Sequence, residues 1–387
     1  MSGAAGPGAN LTALRSHNAA LILRLLRDAG EDGVSRPELA AHTGLTPQAV
    51  SKITARLRTE GLAVEAGQRA STGGKPPAVL RLVPGARHAI GLQLDRDELT
   101  AVLVDLAGTP VAARTAPFDF GARAEEALAA ATAEVRALLA DAGTGLTGTG
   151  TETGGATGGV AGGAAGGGLL GGLLGVGVAT PGPLDHGSGV LHRVTGFPQW
   201  DGFPLRDALA ERLALPVVLD KDTNAAALGL VTTGTAASAA YLHLGTGLGA
   251  GLMLGGEVYR GARTDAGEFG HQVIQLDGPP CECGNRGCLE ALCLAAVARG
   301  DHTDAARLLG VGAANLVRLL DIDRVLLGGR VVLADPEPYV HGVATMIAED
   351  SARASRLPVP VDVVQRGGRA VVEGAARLVL APLFALG

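Results

Sequence analysis

The sequence predicts an α/β protein in two parts: a small winged helix-turn-helix at the start, then a larger body in which strands and helices alternate in two lobes around a cleft. Three observations carry this expectation. The run from Ser35 to Lys52 holds two helix starts separated by a single glycine. From His88 onward, apolar runs of strand length alternate with helical segments, and the polar motifs sit at strand ends, where open α/β sheets bind ligands. With 387 residues, 47% of them hydrophobic, the chain can bury the cores of two or three domains.

The head is built as follows. Ser35 can accept from the backbone N–H of Glu38 while Glu38 reaches back, a capping box, and Pro37 fits a first helical turn that needs no donor from it. Gly44 supplies a left-handed turn, and Thr46 with Pro47 restarts a helix. On this second helix Val50, Ile53 and Leu57 share one face, which is expected to be buried. Gln48, Ser51, Lys52 and Ala55 fall on the other, where a recognition helix presents short polar and basic groups to base edges and phosphates. Strands over 62–65 and 79–83 flank a hairpin tip with Arg69 and Lys75, which makes a wing. The expected DNA contacts are Thr46, Gln48, Ser51, Lys52, Arg56, Arg69 and Lys75, in a domain over 10–83 behind a disordered tail of residues 1–9. Residues 10–83 hold ten basic against six acidic residues, a net +4 in a chain of net charge −6, so the body is strongly acidic. Such a partition turns the head toward phosphates and keeps the body off the duplex. The implied partner is operator DNA with palindromic half-sites, read by a homodimer or homotetramer.

In the body, strands are expected over 88–94 and 99–106, a helix over 122–142 and a buried strand over 174–180. A helix over 205–213, a strand over 216–219, a helix over 223–231 and paired strands over 239–244 and 249–254 follow. Residues 143–172 are almost wholly Gly, Thr and Ala, too poor in apolar bulk to pack, and read as a flexible insertion. No apolar run of spanning length and no signal peptide is visible, which points to a cytoplasmic protein without a membrane partner.

Three of the four cysteines lie between 281 and 288, which suits a metal site better than a disulfide framework. His271, Cys281, Cys283 and Cys288 form a Cys3His set of the kind that zinc takes in closed structural sites. Cys293, one helical turn further on, is expected in the core.

Three segments carry a family likeness: GVGVATPGPLD over 175–185, VVLDKDTNAAALG over 217–229, and GEFGH over 267–271 together with CECGNRGCLE over 281–290. They resemble the ROK family (repressors, open reading frames and kinases), from about residue 10 to the end, and the winged head matches its repressor branch. The resemblance implies a two-lobed, actin-like and ribonuclease-H-like sugar kinase fold, with lobe 1 over 86–215 plus 371–387 and lobe 2 over 216–370. It implies a sugar site in which Asp222 matches the kinase base, Glu268 and Glu290 match hydroxyl-binding glutamates, and His271 is shared between zinc and sugar. Asn224 belongs to the same helix start. Ionised carboxylates accept short, strong hydrogen bonds from sugar hydroxyls. Lys221 stands where the kinases commonly have asparagine, and is expected to pair with Asp222 and lower its basicity, or to contact an anionic ligand group.

The phosphate turn departs from the family further. Where the kinases read Asp-x-Gly-Gly-Thr, this chain reads GLQLDRDELT over 91–100: Gln93 replaces the aspartate, and Asp95, Arg96 and Asp97 replace the glycines and threonine. Side chains here block the close backbone approach of phosphate. A carboxylate about 4 Å from a phosphate costs about 4 kcal/mol at an effective dielectric of about 20. A second glycine loop, GTGLGAG over 245–251, and the pair Gly328-Gly329 are retained. The expectation is a sugar-responsive repressor of carbohydrate genes that binds a monosaccharide or sugar derivative without catalysis. The alternative is an ATP-dependent sugar kinase with a fused DNA-binding head.

Overall fold

The computed structural model describes residues 11–68, 77–147, 172–231, 238–364 and 367–384. The head comprises α1 (Leu11–Asp28), β1 (Val34–Ser35), α2 (Arg36–Thr43), α3 (Pro47–Thr59), β2 (Ala63–Gln68) and β3 (Ala78–Leu82), with strand order β1-β3-β2. The capping chemistry is realised in full. Ser35 accepts from the Glu38 N–H, Glu38 Oε2 accepts from the Ser35 N–H at 2.8 Å, Gly44 closes α2 at φ 69°, and Thr46 caps α3. The wing residues Arg69 and Lys75 lie outside the described residues.

The body holds two five-stranded sheets. In the first, β4 (His88–Leu94), β5 (Glu98–Asp105) and β6 (Pro110–Pro117) form an antiparallel meander. After α4 (Ala124–Thr147), β7 (Leu173–Thr180) joins β4 in parallel. The small sheet of β8 (Leu184–Asp185) and β9 (Val190–Leu191) and then α5 (Leu205–Leu213) lead to β10 (Val217–Lys221), which pairs in parallel with β7. Then α6 (Asp222–Val231) crosses to the second sheet, built from β11 (Ala239–Leu244), β12 (Leu248–Leu254) and β13 (Glu257–Val258). Helices α7 (Leu289–Ala298) and α8 (His302–Leu320) precede β14 (Arg324–Gly328). The remaining elements are α9 (Arg330–Ala334), α10 (Pro336–Arg353), β15 (Val361–Val363) and α11 (Ala370–Leu380). Strands β14 and β15 run parallel to β11. Each lobe thus carries an antiparallel meander extended by two parallel strands, so the two sheets repeat one layout.

One strand was missed and two expectations need correction. Strand β6 was not foreseen, because prolines bound it and its small residues alternate on an edge with one face in water. The insertion begins later than residue 143: the last turn of α4 runs to Thr147, and 148–171 lie outside the described residues. Strand β10 belongs to the first sheet, so the lobe boundary falls after Lys221 rather than after 215.

Separate cores fill the lobes, one around Ile90, Leu103, Leu138 and Trp200, the other around Leu242, Leu289, Leu309 and Val343. The head has no core to itself. Ile22, Leu26, Val50 and Leu80 pack in one cluster with Val102 and Val104 of lobe 1 and with Val372, Leu380 and Phe384 at the end of the fold. The Arg27 guanidinium lies 4.6 Å from the Phe384 ring centroid. Helix α11 in turn lies against β4, β7 and α6, so closely that a Cβ on Gly374 would overlap the Ala225 carbonyl oxygen. Among the described residues no helix is long and apolar enough to cross a membrane.

Candidate functional site

The chain order brings four expected acids and ligands into one cleft between the lobes. Asp222 opens α6 directly after β10. Glu268 precedes and His271 ends a short helical turn, Phe269–His271, that follows β13, and Glu290 stands in the first turn of α7. All four line a single pocket together with Asp95, Arg96, Lys221 and His243. Glu290 Oε2 accepts from the Leu248 N–H at 2.7 Å and so anchors the retained glycine loop.

Asn224 does not reach this pocket. It is fully buried, and its amide donates to Asp220 Oδ1 at 2.9 Å. Asp220, also fully buried, accepts from Arg260 Nε at 2.8 Å as well, so Asn224 belongs to a structural network beneath the site.

Of the two roles expected of Lys221, the pairing with Asp222 does not form. Its ammonium donates to the Ala266 carbonyl at 2.6 Å and to Glu268 Oε1 at 3.1 Å, and makes no bond to Asp222. Burial raises the Asp222 carboxyl above the usual carboxylate range, and Asp95 adds to this. His243, the Thr223 N–H and Lys221 pull the other way without cancelling it. The folded protein therefore holds this proton to higher pH than the unfolded chain does. Stability falls as pH rises from the ordinary carboxylate range through the raised value, and stays lower above it. Asp222→Asn is expected to remove that loss: its melting temperature should exceed wild type by a few degrees near about pH 8, with the gap narrowing toward about pH 4. Thermal melts across this range check it, and a variant less stable than wild type at every pH contradicts it.

His243 is a pocket residue that no sequence motif assigned, while Asp95 and Arg96, read from the sequence as the altered phosphate turn, also line this pocket. Arg96 lies 5.4 Å from the Phe197 ring centroid, and His243 Nδ1 shares a hydrogen bond of 2.9 Å with Tyr241. The period-2 spacing of Tyr241 and His243 on β11 was the one available signal that they share a face. Beside this pocket a second cavity of about 490 Å3 is lined by Gln93, Asp95, Asp97, Tyr241 and Arg330 among others. Asp97 accepts from Arg330 at 2.7 Å across its rim, which ties the altered phosphate turn of lobe 1 to the start of α9 in lobe 2.

The ligand atoms of His271, Cys281, Cys283 and Cys288 all lie within 4.8 Å of one another, a group that could hold a metal ion. Cys281 Sγ is 3.7 Å from His271 Nδ1, and Cys283 Sγ is 3.7 Å from Cys288 Sγ. Cys293 is fully buried in the lobe 2 core, where burial pushes its thiol up to about 12.

On the head, Thr46, Gln48, Ser51, Lys52 and Arg56 are all exposed, with Val50, Thr54 and Leu57 buried behind them and Ile53 half-buried. Arg56 lies 3.5 Å from Glu60, while Arg36 and Arg58 both pair with Glu65.

The model of the ROK family matches residues 167–299. The xylose repressor of Caldicellulosiruptor bescii is 26% identical over 419 residues, covering 97% of this chain and 98% of its own. The glucokinase of Thermotoga maritima is 39% identical over 127 residues, 32% of this chain and 40% of its own. A crystal structure of a ROK family transcriptional regulator, a homologue of the E. coli MLC protein, superposes with a TM-score of 0.72 at 21% identity. It covers 96% of this chain and 97% of its own, which demonstrates the shared fold.

Proposed function

We propose that this chain, which carries a ROK family domain over residues 167–299, is a sugar-responsive, DNA-binding repressor of carbohydrate genes whose kinase-like body binds its effector without phosphorylating it. The observation that carries this is the winged head itself, packed in one core with lobe 1. The sequence likeness to the xylose repressor spans 97% of the chain, head included, whereas that to the Thermotoga maritima glucokinase spans 32%.

In this reading Asp222, Glu268, His271 and Glu290 hold the hydroxyls of a monosaccharide or sugar derivative. The Cys3His set takes zinc. A tetrahedron with Zn–S bonds of about 2.3 Å has S···S edges of about 3.8 Å, close to the 3.7 Å between Cys283 and Cys288. Zinc would supply structural cross-linking here, holding the His271 ring against the cleft. Sugar closes the lobes, and because the head moves with lobe 1, closure changes the spacing of two heads in a homodimer or homotetramer on palindromic half-sites. The effector shifts DNA affinity only by its preference for one state, typically about 1–3 kcal/mol.

The rival reading is an ATP-dependent sugar kinase with a fused head. Against it, Asp95 and Asp97 put carboxylates at the phosphate turn, and Asp97 is already engaged by Arg330. The test is a thermal-shift panel of glucose, xylose and N-acetyl sugars, followed by gel-shift titration with the stabilising sugar. A sugar that raises the melting temperature should also weaken operator binding, with no ATP-dependent turnover. Measurable turnover favours the kinase, and a panel without any effect on operator affinity removes the switch.

A further inference from the structure

Lys221 ends β10 one residue before Asp222, yet it is only 3% exposed. A buried ammonium persists only where its donors are used. Two of them are, by the Ala266 carbonyl and by Glu268 Oε1. The stem packs under the turn after β7, where a Cβ on Gly182 would stand 2.7 Å from Lys221 Cδ. The side chain therefore leaves the sheet of lobe 1, passes along the floor of the cleft and ends on the segment of lobe 2 that carries Glu268 and His271. The Glu268 side chain is 43% exposed, and among the described residues Lys221 is the one side chain that bonds its carboxylate.

We propose that Lys221 is a positioning and specificity-determining residue of the effector site, holding the Glu268 carboxylate in one orientation by an ion pair across the cleft floor. This rests on reading the cleft as a sugar site. A free glutamate loses rotamer freedom when a ligand engages it. The ion pair takes that loss before the ligand arrives, so binding is stronger. Lysine also brings three donors and no acceptor, where an asparagine would offer both. The floor of the cleft therefore favours a ligand group that accepts, such as a hydroxyl or carbonyl oxygen, and disfavours the ammonium of an amino sugar by like charge.

The experiment is calorimetric titration of the full chain with glucose, xylose, N-acetylglucosamine and glucosamine, in wild type, Lys221→Met, Lys221→Arg and Glu268→Gln. Lys221→Met is expected to weaken the best neutral sugar about tenfold to a hundredfold, the range for a hydrogen bond to a charged group. Lys221→Arg should recover most of it. Lys221→Met combined with Glu268→Gln should be little weaker than Glu268→Gln alone, because the two act as a unit. Discrimination against glucosamine should shrink in Lys221→Met, which a purely structural role would not produce. If Lys221→Met does not fold by circular dichroism, Lys221→Gln, which still donates to Ala266, replaces it with the same expectations. Wild-type affinity and discrimination in the neutral variant, or additive losses in the double variant, overturn the positioning role alone. A wild type that binds none of the four sugars overturns it together with the sensor reading.

Discussion

Removing the metal, by a strong chelator or by Cys288→Ser, is expected to lower effector affinity about a hundredfold, as two oriented hydrogen bonds of about 1.5 kcal/mol each are lost. The reason lies in what the segment 272–288 lacks. Val273 and Leu276 are exposed, Leu276 by 87%, so little apolar burial holds this stretch in place. Its fixed points are the Cys3His group and a few backbone bonds, such as Ile274 N to Gly287 O. His271 lines the cleft at one end, while Cys288 sits directly before α7, two residues before Glu290, at the other. On the proposed zinc reading, releasing the ion would free both. Ligation free energy is folding free energy where the site is not otherwise formed, so the segment should also become accessible to proteases. Elemental analysis should give one zinc per chain before chelation and none after, with titration calorimetry reading the affinity. Metal-free protein that keeps its affinity, or purified protein without zinc, defeats the structural role.

The second large effect concerns the head. The double variant Lys52→Ala/Arg56→Ala is expected to weaken operator binding about thirtyfold near about 0.15 M salt. It should also flatten the dependence of log K on log salt by about 1.8, at about 0.9 for each phosphate that is no longer neutralised. Both residues are exposed on the outer face of α3, and Arg56 gives up only a long ion pair with Glu60 in reaching a phosphate. The loss should be uniform across operator sequences. Substituting Gln48 or Ser51, by contrast, should change which sequences are preferred. Fluorescence anisotropy over a salt series measures both. An unchanged slope shows that α3 does not approach the DNA backbone.

How much of the molecule could be read from the chain alone varied with the range of the interaction. The head was legible because its signals are local: Ser35 and Glu38 are three residues apart, and Thr46 precedes the helix it caps. The pocket acids were legible as motifs, and Asp222, Glu268, His271 and Glu290 do converge. Side-chain direction was not. Asn224 shares a helix start with Asp222 but turns inward to Asp220, because the next residue but one on a helix faces away. The partner of Lys221 lies 47 residues along the chain and that of Asp97 lies 233 residues along it, and no spacing rule relates such pairs. The effect of burial on Asp222 was likewise invisible: one reading had Lys221 pair with this carboxyl and lower its basicity, whereas desolvation raises it.

The shared core of head and body bears on how such proteins can be recombined. Ile22 and Leu26 of α1 are completed by Leu380 and Phe384, contributed from more than three hundred and fifty positions later in the chain. A graft that transplants a head by cutting near residue 83 would leave those aromatic and aliphatic surfaces facing a foreign α1. A chimera with new operator preference therefore has to exchange α1 together with the turn Ala381–Phe384, or else leave both in place and recode only the outer face of α3.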